Sequence, residues 1–141
     1  MQLETTTKRK QLNLLRLKMN WMLNKKSELS IENKLLLYKC IIVPIWTYGI
    51  QLWGSTAESN IEIIQRFQSK TLRTMLNAPW FITNESIHND LNIPTVRTVA
   101  CNTARKYKDR MLNHPNKLAS ELLTKTKPRR RLKRKVPRDL A

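Results

Sequence analysis

Glycine is nearly missing from this chain, with two residues in 141, Gly49 and Gly54. A loop that wraps phosphate with bare backbone needs more, so P-loop and dinucleotide-binding motifs are excluded. Cysteine and histidine are equally scarce, two of each. Cys40 and Cys101 form no C-x-x-C pair, and with only His88 and His114 beside them no zinc knuckle can be assembled. The two thiols read as reduced and buried. The ten carboxylates are scattered, whereas nucleotidyl transfer needs them close together to hold two metal ions. The nearest pairs, such as Glu58 with Glu62, sit on a helix among lysine and arginine, and His88 and Asp90 flank Asn89 with no nucleophile implied nearby. No catalytic residue, metal ligand or cofactor is therefore expected. No apolar run approaches the roughly 20 residues of a membrane span, and MQLETTTKRK lacks the apolar core of a signal peptide. An intracellular protein with no membrane and no small-molecule substrate is expected.

What the chain does have is positive charge. It carries 27 Lys and Arg against 10 Asp and Glu, a net +17. Residues 122–141 hold nine basic residues and one acid, net +8, which leaves +9 for the rest. Such an imbalance argues for a polyanionic partner. The hydrophobic fraction of 40% still allows one domain with a modest core.

Helical periodicity dominates, and the expected fold class is all-α: a small bundle of about four helices with a disordered basic C-terminal tail. The first helix is expected from Lys8 to Lys26, with Leu12, Leu15, Met19 and Met22 on one face and Leu14, Leu17 and Trp21 on an adjoining arc. Ser30 is a plausible N-cap for a second helix from Ile31. It contains PIWTYGIQLWG, residues 44–54, which holds two of the four tryptophans and both glycines. Carried through Pro44, helical phase puts Leu35, Ile42, Trp46, Gly49, Ile50 and Trp53 on one face, with a kink at Pro44 where a backbone donor is missing. Gly49 would admit a close neighbour, and Gly54 would stop the helix. Those rings share an apolar stripe with Leu, Ile and Val, so they read as core and not as a platform for stacking bases. Tyr48 lies off the stripe.

A third helix, residues 60–77 capped by Ser59, buries Ile61, Ile64, Phe67, Leu72, Met75 and Leu76. Opposite them Arg66, Lys70 and Arg73 form a basic stripe, which is either a solvated face or a phosphate contact. A loop follows with one short helix near Asn84–Asp90, then a fourth helix from Val96 to Asn113 after Thr95. After Pro115 a short amphipathic piece, Asn116 to Leu123, gives way to a tail whose composition cannot order itself. The run PRRRLKRK, containing Arg129, Arg130, Arg131, Lys133, Arg134 and Lys135, fits both a nuclear localisation signal and a sequence-independent nucleic-acid arm. These features divide the chain into a helical bundle over 1–78, an extension over 79–123 and a basic tail over 124–141.

Three sets of residues carry a resemblance. They are Leu37-Tyr38, Ile42, Pro44, Tyr48-Gly49 and Leu52-Trp53-Gly54; Asn60, Gln65-Arg66, Gln68, Lys70, Leu72-Arg73 and Ala78-Pro79; and Asn84, Ile87-His88, Asp90-Leu91, Ile93-Pro94 and Val96. From about Leu12 to Val96 the chain resembles the C-terminal part of the reverse transcriptases of jockey-type non-LTR retrotransposons. The resemblance implies a right-hand polymerase whose palm carries its aspartates in a YADD-like turn, and no such turn occurs here. It implies that this chain corresponds to the helical thumb and C-terminal extension. A thumb grips a primer–template duplex, so RNA, DNA or their hybrid would be the partner, beside a palm domain. The candidate contacts are then Arg66, Lys70 and Arg73, with Lys8, Arg9, Lys10 and Arg16 as a second cluster. The alternatives are a truncated transposon relic with inherited charge, or an incomplete gene model of the full enzyme.

Overall fold

The computed structural model describes residues 2–54, 58–116, 118 and 121. Among them every regular element is a helix, so the chain is all-α. The basic tail, with its expected disorder and its Arg and Lys run, lies outside the described residues.

Helix α1 (Gln2–Lys18) is followed, after a break in phase at Met19, by the single turn α2 (Asn20–Leu23). The one long helix expected here is thus divided, but Leu12, Met19 and Leu23 all reach the core. The link to α3 (Ile31–Leu37) is fixed from inside. Ser30 caps α3 through the Asn33 amide, as expected. Lys34 is buried and donates to the Asn24 and Ser27 carbonyls, meeting backbone groups that the end of α2 leaves open.

The tryptophan-rich stretch is not one helix. A π turn over Tyr38–Ile42 precedes α4 (Val43–Thr47) and puts the expected irregularity beside Pro44. The wider turn brings Tyr38, Ile42 and Trp46 onto one buried line. It leaves Cys40 exposed, which corrects the expectation that both thiols are buried; Cys101 is only partly covered. A second break, which periodicity did not show, lies at Tyr48 (φ −58°, ψ 123°) and Gly49 (φ 65°, ψ 20°), the two central residues of a type II turn. Gly49 therefore supplies a left-handed backbone, and a Cβ there would meet nothing within 4 Å. The close approach belongs to Gly54 instead, where a Cβ would run into the Ile50 carbonyl and sit 3.3 Å from the Ala100 side chain. The turn swings the Tyr48 carbonyl out of the helical ladder, where it accepts from Lys8 Nζ at 2.8 Å and Trp53 Nε1 at 3.3 Å. Helix α5 (Ile50–Trp53) then restores the stripe, with Ile50 and Trp53 buried.

Helix α6 (Glu58–Leu76) is the spine of the core. Ile61, Ile64, Phe67, Leu72 and Met75 are buried as periodicity required. Ser59 lies inside the first turn and does not cap it: the helix already includes Glu58, whose carboxylate suits a helix start and also takes Arg97 Nη1 at 2.9 Å. Asn77 (φ 51°) closes α6 in a Schellman pattern, with the Ala78 amide on the Arg73 carbonyl. Helix α7 (Asn84–Asp90) is capped by Thr83, and Asn92 (φ 49°) ends it the same way. His88 is therefore helical, and buried. Helix α8 (Val96–Leu112), capped by Thr95, sends Val96, Ala100 and Ala104 inward.

The core contains two polar clusters. Gln65 Oε1 accepts from the Val96 amide at 2.8 Å while its Nε2 faces His88 Nε2 at 3.2 Å. His88 Nδ1 lies 2.8 Å from the Ile93 carbonyl, and a carbonyl can only accept, so the ring carries its proton on Nδ1. Gln68 Nε2 adds a bond to the Pro94 carbonyl. In the second cluster the Tyr38 hydroxyl, Trp46 Nε1 and Gln68 Oε1 are enclosed without a direct hydrogen-bond partner. Burial pushes the Tyr38 phenol up to about 12, and the neighbouring Gln68 and Trp46 side chains draw it part of the way back.

Candidate nucleic-acid interface

Helix α1 packs along α6, and this brings together cations that lie some fifty positions apart in sequence. Their facing sides enclose a groove of about 370 Å³ with Arg9 and Arg16 on one wall and Arg66 and Lys70 on the other. Beyond Arg66 and Lys70 it continues into an open concavity of about 540 Å³, where Lys25 and Arg73 join the lining. Six cations thus line one continuous surface, and among the described residues no carboxylate lines either part. Among the described residues no group of three His, Cys, Asp or Glu side chains is placed to hold a metal ion.

The expected contacts are not equivalent. The Lys70 ammonium is exposed, with no protein partner among the described residues. Arg66 pairs with Glu62 at 3.0 Å, but both side chains are more than half exposed. Such a pair is worth only a few tenths of a kcal/mol and yields easily to another anion. Arg16 presents an enclosed Nε that no protein acceptor meets. Arg9 lines the groove, while Lys10 is exposed and does not.

Two members of the set are committed to their own chain. Lys8 is buried, bonded to the Tyr48 carbonyl and 5.3 Å from the centre of the Tyr48 ring. Arg73 donates Nε to Asn84 Oδ1 at 2.8 Å, Nη1 to the Pro79 carbonyl at 3.2 Å, and Nη2 to the Ile82 carbonyl. It holds the loop over 79–83, whose flanking residues Ala78 and Asn84 line the concavity.

Sequence reasoning missed Lys25, which lies in the link after α2 and reaches the groove only through the fold. It also missed the aromatic pair in the loop between Ala78 and Asn84, two residues that line the concavity. Trp80 is 90% and Phe81 68% exposed, with ring centroids 6.1 Å apart in an edge-to-face arrangement. The available signal was their position, in a loop between Pro79 and the Thr83 cap and outside any helical stripe. Trp46 and Trp53 are core, as expected, at 1% and 0% exposure.

Comparison with known proteins gives a consistent set of relatives. The chain is 42% identical over 120 residues to the probable RNA-directed DNA polymerase from transposon X-element of Drosophila melanogaster, covering 85% of this chain and 13% of that protein. It is 38% identical over 131 residues to the RNA-directed DNA polymerase from mobile element jockey of Drosophila funebris, covering 87% and 14%. It is also 38% identical over 117 residues to the probable RNA-directed DNA polymerase from transposon BS of Drosophila melanogaster, covering 83% and 13%. The chain thus spans about one seventh of the length of these relatives. No family model matches it, and no solved structure does.

Proposed function

Because this chain belongs to the RNA-directed DNA polymerases of jockey-type and related non-LTR transposons, we propose that it is a nucleic-acid-binding, non-catalytic segment of such an enzyme. It corresponds to the thumb and C-terminal extension, and it grips a primer–template duplex by its phosphates in the groove between α1 and α6. The observation that carries this reading is the groove itself, lined by Arg9, Arg16, Lys25, Arg66, Lys70 and Arg73 and, among the described residues, by no carboxylate. Clustered cations release condensed counterions from the duplex and need no base contact. The exposed Leu14 and Trp21 on α1 and α2, which lie outside the groove lining, belong to the face that packs against a palm domain. The run Arg129–Lys135 acts as a nuclear address or as a second arm on the backbone.

The test is binding of the 141-residue chain to a labelled RNA–DNA hybrid across a salt series. Changing Arg66 and Lys70 to alanine is expected to weaken binding and to reduce the slope of log affinity against log salt by about 0.9 for each phosphate no longer neutralised. If removing residues 125–141 abolishes binding and the double variant changes nothing, the groove reading is wrong. The same apolar face supports a second reading, a relic whose charge is inherited. Self-association through Leu14 and Trp21, with binding indifferent to groove variants, is its signature.

A further inference from the structure

We propose that Trp80 and Phe81 form a stacking step for an unpaired nucleobase at the end of a duplex held in the groove. The proposal rests on the groove reading and deepens it. Two large aromatics stand in solvent on a loop that is firmly fixed. Asn77 and the Ala78 amide close α6 behind it, the Ile82 amide returns to the Pro79 carbonyl, and Thr83 caps the helix in front. The Arg73 guanidinium spans the pair from below, donating to the carbonyls of Pro79 and Ile82. A rigid platform loses little conformational freedom when a planar ring lies on it.

The choice of occupant follows from what adjoins the pair. Asn77, Ala78 and Asn84 flank this loop and line the concavity, and Arg73, which lines it too, is bonded to the loop at Pro79 and Ile82, so the loop carrying the rings joins a cationic and polar surface. An apolar protein face would have to leave Lys70 uncompensated. A nucleic-acid strand answers both halves at once, with phosphates over Arg66 and Lys70 and the π-face of a base over Trp80. Every base has such a face, so the step is indifferent to sequence.

The experiment uses the full chain and three labelled ligands: a blunt RNA–DNA hybrid, the same hybrid with a short single-stranded overhang, and that overhang made abasic. The overhang is expected to tighten binding about 5- to 150-fold over the blunt end, the range for one stacked base. The abasic overhang gives no gain. Trp80→Ala with Phe81→Ala brings the overhang ligand down to the blunt value and leaves blunt binding and thermal unfolding unchanged, while Trp80→Phe keeps most of the gain. An overhang gain that survives the double substitution, or that the abasic strand matches, overturns the stacking step and leaves the groove intact. If blunt binding ignores the loss of Arg66 and Lys70, the groove reading fails and the step falls with it.

Discussion

Trp46 and Trp53 on one side, and Trp80 and Phe81 on the other, are chemically alike and end in opposite places. The first pair recurs seven residues apart within an apolar stripe, so any helical folding of that stretch drives both into the core. The second pair is adjacent in sequence between a proline and a helix cap, so no helix phase gathers it with other apolar groups. The backbone around it is instead tied down by polar bonds, above all those from Arg73. Density of aromatics is therefore a poor guide to a binding surface here, and the helical register around each ring is a better one.

The largest expected effect breaks this contrast directly. Trp53→Ala should cost about 3 to 5 kcal/mol of unfolding free energy, because it empties a fully buried site. Trp80→Ala should stay within about 0.5 kcal/mol, and denaturant unfolding of the two variants measures both. Next comes alkaline stability. The Tyr38 phenol ionises at about 12 when folded and near its ordinary 10.0 when unfolded, so between those values the unfolded chain gives up a proton that the folded one keeps. Stability should fall by about 2 to 3 kcal/mol as pH rises through that window. Tyr38→Phe should remove this part of the slope in unfolding curves compared at pH 9 and pH 12.

A smaller loss is expected for Gly49→Ala, about 1 to 2 kcal/mol, from forcing a Cβ into a left-handed backbone. Thermal unfolding reads it, and Tyr48→Ala serves as the exposed control. The smallest effect falls on the groove side. Glu62→Gln should change stability by less than about 0.5 kcal/mol, yet it frees Arg66 and should tighten binding to a blunt RNA–DNA hybrid by about fivefold or less.

Much of the bundle was legible in the sequence. The 3.6-residue period located α6 and α8 almost to their ends, α7 was expected only as a short helix within a proline-broken loop, and the hydroxyl residues Ser30 and Thr95 marked the starts of α3 and α8. The breaks were harder. Nothing in a hydrophobic stripe distinguishes an α-helix from one with a π turn over Tyr38–Ile42, because both keep Tyr38 and Ile42 inward. Gly49 was visible as a permissive residue, but whether it serves a close contact or a positive φ depends on tertiary neighbours, and the close contact went to Gly54. The basic clusters were legible as charge and not as roles. Lysine and arginine are long enough to turn back on their own chain, as Lys8 and Arg73 do, and residue type and spacing alone do not say which will. The joining of Arg16 to Lys70 depends on how α1 lies against α6, which no local pattern encodes.

The Gln65–His88 cluster has a consequence for how this segment tolerates change in length. The stretch from His88 to Val96 is gauged at three points along its span: by His88 on the Ile93 carbonyl, by Gln68 on the Pro94 carbonyl, and by Gln65 on the Val96 amide. Adding or removing one residue there would shift at least two of these partners and strand a buried amide. The Ser27–Ser30 link, held at one side by Lys34, has no such double gauge, and its exposed positions can absorb an insertion. Copies of this segment that diverge in length should do so at the entrance to α3 and keep constant spacing between α7 and α8.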